Sequence, residues 1–180
     1  VSDSVAYSVY ADAEKSHGYR RDNSYERQNL SAALAWRVNR DLTATLSVDA
    51  GHNDDARYFG TPLRGGQLDD SIRRTSFNVD DALVRYNDRI GRLRLEYRAA
   101  PDVLLRNESY YITSKRHWRN AESYAFNAAG TLVNRGDYLE ILHDQEQAGN
   151  RFDAIVDGRI AGLANRLVVG FDWYRTRLVH

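Results

Sequence analysis

The chain has 180 residues, no cysteine, and 25 basic residues balanced by 25 acidic ones. This length is enough for one domain, the lack of cysteine excludes a disulfide scaffold and thiolate metal sites, and the zero net charge argues against nucleic acid as a partner. Twelve tyrosines and only two prolines favour a sheet over a helical bundle. The chain has no apolar run of about 18 residues, so no transmembrane helix is predicted.

Apolar and polar residues alternate with a period of two in several stretches, and this pattern predicts β-strands. The alternation is clear in residues 42–50, 92–99 and 167–173 and weaker in 103–113 and 152–158. The predicted fold is all-β, an antiparallel up-and-down meander of about seven strands in which neighbours in sequence pair. The strands are expected near residues 5–14, 28–38, 42–52, 91–99, 103–114, 139–158 and 165–177.

Short and long connections alternate between the predicted strands. The short ones are residues 39–41, 100–102 and 161–165, which carry Asn, Asp, Gly or Pro at the bend. The long ones are roughly residues 14–28, 53–90 and 115–137, which are polar and charged. In an up-and-down sheet all short turns then lie at one end and all long loops at the other, as in outer-membrane barrels.

The two faces of each strand are expected to have different surroundings. In a large membrane barrel the apolar face meets lipid and the polar face lines a wet lumen, with aromatic residues near the strand ends. The residues expected to face lipid are Leu42, Leu46, Val48, Leu93, Leu95, Val169 and Phe171, and those expected to face the lumen are Asp49, Arg94, Glu96 and Asp172. A soluble β-sandwich or small barrel would alternate too, with its apolar face inward, and stays open as a less favoured reading.

Motifs for metal binding and catalysis are missing. The five histidines do not form a closely spaced pair on one element, and Asp54-Asp55 and Asp69-Asp70 lie outside the regular loop of a calcium site. The glycine-rich stretch "LRGGQL", residues 63–68, lacks the lysine of a phosphate-binding loop and is predicted to be a loop tip. We therefore predict no enzyme activity, no catalytic residues and no metal site.

Two clusters combine basic and aromatic residues in predicted long connections. The first is Tyr58 and Phe59 with Arg64, Arg73 and Arg74, and the second is the run "KRHWR", residues 115–119. Arginine and aromatic rings suit an anionic aromatic ligand through charge and stacking. The alternative is that long loops simply carry charge and that Trp118 and Tyr58 pack those loops.

Four longer phrases resemble the barrel of TonB-dependent siderophore receptors, in the same order and over nearly the whole chain. They are "YFGTPLRGG" (58–66), "SYYITSKRHWRNAESYAFN" (109–127), "RGDYLEILHDQEQAGNRFDA" (135–154) and "GLANRLVVGFDWYR" (162–175). The resemblance implies an outer-membrane barrel of about 22 strands closed by an N-terminal plug. Residues 1–180 would then be an internal part of the barrel domain, without the plug.

The resemblance also implies a function and partners. Such receptors bind a ferric siderophore outside a bacterial cell and import it with energy passed through TonB, so the expected partners are the siderophore, outer-membrane lipid, the receptor's own plug and the TonB system. No cofactor is expected to be bound directly. The candidate ligand contacts are Tyr58, Arg64, Arg73, Trp118 and Arg119, all in predicted long connections. Another outer-membrane barrel, such as a porin or a receptor for haem, cobalamin or glycans, stays open.

Overall fold

Each strand is hydrogen-bonded to the strand that follows it in sequence in the computed structural model, which describes residues 4–180. Every pair is antiparallel. The strands are β1 Val5–Ser16, β2 Tyr25–Arg37, β3 Leu42–Asp54, β4 Leu83–Ala100, β5 Val103–Phe126, β6 Val133–Ile160 and β7 Leu163–Val179. The predicted all-β meander of seven strands is confirmed.

Helical structure within residues 4–180 is confined to one 3-10 turn, Asp70–Ile72. No helix in this part of the chain is long and apolar enough to cross a membrane.

The hairpin of β5 and β6 is much longer than the sequence pattern predicts. These strands have 24 and 28 residues, whereas a tilted strand crosses a membrane with about 9–11. The predicted long connection at residues 115–137 is therefore wrong, because β5 and β6 stay paired until Phe126 meets Val133. The true connection is the six-residue turn 127–132, in which the Asn127 side chain accepts hydrogen bonds from two backbone N–H groups.

The three short turns are confirmed, and they all lie at one end of the sheet. Asn39 Oδ1 accepts from the N–H groups of Asp41 and Leu42, each at 2.9 Å, which closes the β2–β3 turn. β4 and β5 are joined by residues 101–102, and β6 and β7 by residues 161–162. Ala161 and Gly162 have φ values of 51° and 82°, the left-handed pair that a two-residue hairpin requires.

The pairing register places the predicted apolar residues on one face of the sheet. Leu34, Leu46 and Leu93 lie opposite one another on β2, β3 and β4, and residues directly opposite share a face. The four charged residues predicted for the lumen lie on the other face, where Arg94 is opposite Thr45 and Glu108. We call these two sides the apolar face and the polar face.

The apolar face forms a band that crosses the sheet at a slant. Its limit toward the long loops is Leu30 on β2 and Trp173 on β7. The residues paired with Leu30 on each successive strand lead across the sheet to Arg177 on β7. Arg177 lies four positions beyond Trp173, toward the long loops. Strands that tilt relative to an apolar slab produce this stepwise offset, because the slab cuts each strand at a different register position.

Candidate ligand-binding surface

The polar face is a lattice of cross-strand ion pairs. Arg92 donates to Asp49 at 3.0 Å, and Ser31 donates to the same carboxylate at 2.7 Å. The guanidinium of Arg94 contacts Glu108 at 2.6 Å, and further pairs join neighbouring strands. Half-exposed pairs of this kind each contribute at most about 1 kcal/mol, so their main effect is to keep a charged surface locally neutral.

At the long-loop end, the connection 17–24 is fastened to the connection 55–82 by arginines and tyrosines. The guanidinium of Arg20 lies 3.9 Å from the centre of the Tyr58 ring and also donates to the backbone carbonyl of Arg73. Arg74 lies 5.7 Å from the centre of the Tyr19 ring. We call these residues the loop patch: Tyr19, Arg20, Tyr58, Arg73 and Arg74.

The loop patch carries positive charge that no acidic side chain of the described residues neutralises through an ion pair. Within residues 4–180, none of Arg20, Arg73 and Arg74 forms an ion pair with a carboxylate, in contrast to Arg92, Arg94 and Arg106 of the polar face. Arg73 and Arg74 are exposed, and 39% of the Tyr58 surface is exposed. The patch therefore offers cationic donors beside an accessible aromatic ring, which suits an anionic ligand with aromatic groups.

Gly18 fixes the shape of the connection that supplies Tyr19 and Arg20. Its φ is 74°, and a Cβ atom at this position would lie 2.2 Å from the carbonyl oxygen of Asn23. The backbone of the loop therefore leaves room for glycine only, and the turn that places Arg20 over Tyr58 and Tyr19 beside Arg74 depends on it.

Arg64 contributes structure to the long loop. Its guanidinium donates to Asp69 at 3.1 Å and to the carbonyl of Gly130 at 3.0 Å, and it lies 4.1 Å from the centre of the Phe126 ring. Arg64 and Gln67 are hydrogen-bonded through their backbones around Gly65 and Gly66, so the predicted loop tip is confirmed. The side chain thus ties this tip to the end of the β5–β6 hairpin.

Trp118 and Arg119 lie in β5 rather than in a loop, and the prediction that placed them in a long connection is wrong. As neighbours on a strand they point to opposite faces. The Trp118 ring packs edge-on against Phe59 at 6.5 Å on the polar face, while Arg119 donates to the Asp81 carbonyl and lies 3.8 Å from Glu140 on the other face. They therefore do not belong to one site.

The predicted ligand contacts omitted Arg116, although it lies in the predicted basic-aromatic run 115–119, and they also omitted Tyr19 and Arg20, which belong to neither predicted cluster. Arg116 lies over the Tyr86 ring at 5.1 Å, on the same face as Trp118, so both could contact a ligand from the polar side. The period-two alternation of a strand, applied to residues 115–119, would have placed Arg116 and Trp118 on the same face. Tyr19 and Arg20 have no periodic signal, and only their basic and aromatic character points to them.

Acid is expected to loosen the link between Arg64 and Asp69. Two hydrogen bonds from Ser71, and then the Arg64 guanidinium, hold the pKa of Asp69 below its usual range. A depressed pKa stabilises the loop above the unfolded-state value of about 4, and this contribution is lost as pH falls through the lower folded value. Pepsin cleavage within residues 63–72, corrected by cleavage of the free peptide, should accelerate below about pH 4.

The matched variant for this measurement is Asp69→Asn. It should be cleaved quickly at every pH, because it never carries the charge that Arg64 and Ser71 hold. If the corrected cleavage of Asp69→Asn rises at the same pH as that of the unaltered chain, Asp69 does not have this role.

Metal-binding groups are not assembled in the described part of the chain. Among residues 4–180, no three or more His, Asp or Glu side chains are arranged to hold a metal ion.

Solved siderophore receptors have the same fold over nearly all of this chain. Against the ferric-catecholate import receptor Fiu of E. coli K12, in its closed form, the TM-score is 0.81 with 12% identity over 98% of this chain and 28% of the receptor. The siderophore receptor PiuA of Acinetobacter baumannii gives 0.81 with 17% identity over 98% of this chain and 27% of that one. For the ferric preacinetobactin receptor BauA of the same organism, the TM-score is 0.76 with 11% identity over 96% of this chain and 26% of that receptor.

The chain has the fold of a siderophore-receptor barrel segment. It spans less than a third of each of these receptors, and identities below a fifth establish the fold alone. The resemblance read from the sequence is confirmed at this level. No protein-family model and no curated protein matches the sequence.

Proposed function

We propose that this chain forms part of the barrel wall and outer vestibule of a bacterial outer-membrane receptor that imports ferric siderophores. The observation that carries the proposal is the structural match to siderophore receptors across 98% of the chain. In this proposal the receptor's own plug fills the lumen, and TonB supplies the energy for import. The chain has no catalytic role and holds no cofactor of its own, since the iron travels as cargo within the siderophore.

The exposed apolar face supports a location in the outer membrane. Leu46 is 50% exposed and Phe171 is 68% exposed, and no second layer covers this face within residues 4–180. Contact of these apolar side chains with lipid carries no hydrophobic penalty, whereas their contact with water does. β1 and β7 pair on one side only in the described part of the chain, and further strands of a closed barrel would satisfy their free edges.

The loop patch is the proposed contact surface for the siderophore. Of the five residues predicted from the sequence, Tyr58 and Arg73 belong to the patch, and Trp118 faces the polar side beneath it. Arg64 and Arg119 would act by holding the loops, because their guanidinium groups already have protein partners. Positive charge at the mouth of the vestibule would also speed the capture of an anionic complex.

Replacing Arg73 and Arg74 by alanine in the full-length receptor should weaken binding of an anionic ferric tris-catecholate by about 100-fold or more, since two charge-assisted hydrogen bonds of about 1.5 kcal/mol or more each are lost. Arg119 is left unaltered in this variant because it lies on the opposite face of the sheet. The measurement is a binding titration on purified receptor, with a neutral ferric hydroxamate complex as a second probe that should be less affected.

The control is Arg40→Ala with Arg159→Ala, which removes two charges at the short-turn end and should leave affinity unchanged. Equal affinity in the Arg73/Arg74 variant would restrict the patch to a structural role. Failure of the unaltered receptor to bind either ferric complex would contradict the import of siderophores of these two classes.

A further inference from the structure

Two arginines continue the apolar alternation of β7 where the apolar band ends. Every second residue from Leu167 to Trp173 is apolar and faces the same side, and the next two positions on that side are Arg175 and Arg177. Both lie toward the long-loop end of the strand. Under the membrane location proposed above, this places them at the outer edge of the lipid slab.

The neighbouring strands leave a groove beside these two arginines. Arg175 is opposite Ala148 on β6, and Ala148 is opposite Tyr111 on β5, so a small side chain separates the arginine from the tyrosine. Arg177 is opposite Glu146 in the next row. The five residues line one shallow depression on the outer surface: Tyr111, Glu146, Ala148, Arg175 and Arg177.

Among the described residues, no carboxylate neutralises either guanidinium of this groove through an ion pair. Within residues 4–180, Arg175 and Arg177 form no ion pair, although Glu146 lies directly opposite Arg177. The groove therefore has a net charge of +1, from two arginines and one glutamate. On the polar face of the same sheet, by contrast, Arg92, Arg94 and Arg106 each contact a carboxylate.

We propose that this groove binds the phosphate group of an anionic lipid in the outer leaflet. A guanidinium binds phosphate through paired hydrogen bonds and is less strongly hydrated than an ammonium group, which suits the edge of an apolar slab. Tyr111 and Trp173 have an apolar ring and a polar tip, as residues at a membrane interface commonly do. The lipid's acyl chains would lie along the apolar stripe that runs from Trp173 to Leu167.

The occupant is a lipid rather than a soluble anion because of the groove's surroundings. Its lower border is the exposed apolar side chains of Phe171 and Trp173, 68% and 54% exposed, which a free phosphate would leave in water. A lipid satisfies both parts at once, with its phosphate on the arginines and its chains on the stripe. The inference rests on the proposed membrane location and is independent of the siderophore.

The test uses the full-length receptor, purified and folded in detergent, and native mass spectrometry with bisphosphorylated lipid A as the probe. The double variant Arg175→Gln, Arg177→Gln should bind the lipid about 30-fold more weakly, from about 1 kcal/mol for each arginine at a charged membrane surface. The control Arg37→Gln, Arg98→Gln removes two arginines near the short turns and should bind normally.

A second variant separates lipid binding from assembly of the barrel. Ala148→Leu fills the groove with an apolar side chain, keeps both arginines, and should also weaken lipid binding. Siderophore binding should be unchanged in both variants. If the unaltered receptor fails to bind a siderophore but still binds the lipid, the result counts against the proposed function and leaves the lipid site intact.

Several results would overturn the lipid site. They are normal lipid binding in the double variant or in Ala148→Leu, equal losses in the control, equal binding of dephosphorylated lipid A, and displacement by inorganic phosphate at the lipid's own concentration. Loss of folding in the double variant together with normal lipid binding in Ala148→Leu would show instead that the arginines pair with protein groups next to β7.

Discussion

Replacing Leu95 by arginine in the full-length receptor is expected to lower the free energy of unfolding by about 2–4 kcal/mol, the cost of a cation at the middle of a lipid-facing barrel strand. Leu95 lies near the centre of the apolar stretch of β4, which runs from Gly91 to Tyr97. Its register neighbours on the same face are Ala44 and Asn107, so no carboxylate lies opposite to compensate the charge. The measurement is denaturant unfolding of the receptor in lipid vesicles.

The matched control is Arg94→Ala, one position away and on the polar face. This variant loses two hydrogen bonds to Glu108, at 2.8 and 2.6 Å, but the Arg94 side chain is 50% exposed and water can replace its partner. The expected loss is therefore about 1 kcal/mol or less. A larger loss for Arg94→Ala than for Leu95→Arg would mean that the two faces are assigned backwards.

The strands were predictable only where the two faces have different surroundings. In residues 92–99 one face is apolar and the other is wet, so the period-two pattern marks the strand directly. In residues 115–119 the side chains of both faces are polar or are covered by a loop, so the alternation fades. The backbone pairing of β5 with β6 continues nevertheless, because ladder hydrogen bonds do not depend on a hydrophobic pattern.

The loop contacts were less predictable because they join distant parts of the sequence. Arg20 and Arg73 are 53 residues apart, and their contact depends on how two irregular connections fold over the same strands. Composition was enough to single out Tyr58 and Arg73. It gave no reason to place Tyr58 under Arg20 rather than beside Arg64, and it hid the fact that Trp118 and Arg119 face opposite ways.

Asn78 is expected to be the main anchor of the long connection 55–82. Its side-chain amide donates to the Arg57 carbonyl at 2.5 Å, and its Oδ1 accepts from the N–H groups of Val79 at 2.9 Å and Ala121 at 3.0 Å. Asn78 and Ala121 are both buried, at 9% and 1% exposure. One side chain therefore joins both ends of the loop to β5.

Asn78→Leu should destabilise the closed loop by about 2–6 kcal/mol, since it leaves the Arg57 carbonyl and the Ala121 N–H unpaired at about 1–3 kcal/mol each. The barrel strands should stay paired, because the loss is confined to the loop and the hairpin above the apolar band. Hydrogen exchange should therefore accelerate at Ala121 and through residues 57–80 but not in β3 or the lower half of β4. Asn78→Asp keeps the acceptor and should have an intermediate effect, while Gln67→Leu, an exposed residue of the same loop, should have none. Unchanged exchange at Ala121 in Asn78→Leu would mean that other contacts hold the loop, in which case the position of Tyr58 and Arg73 would not depend on this anchor.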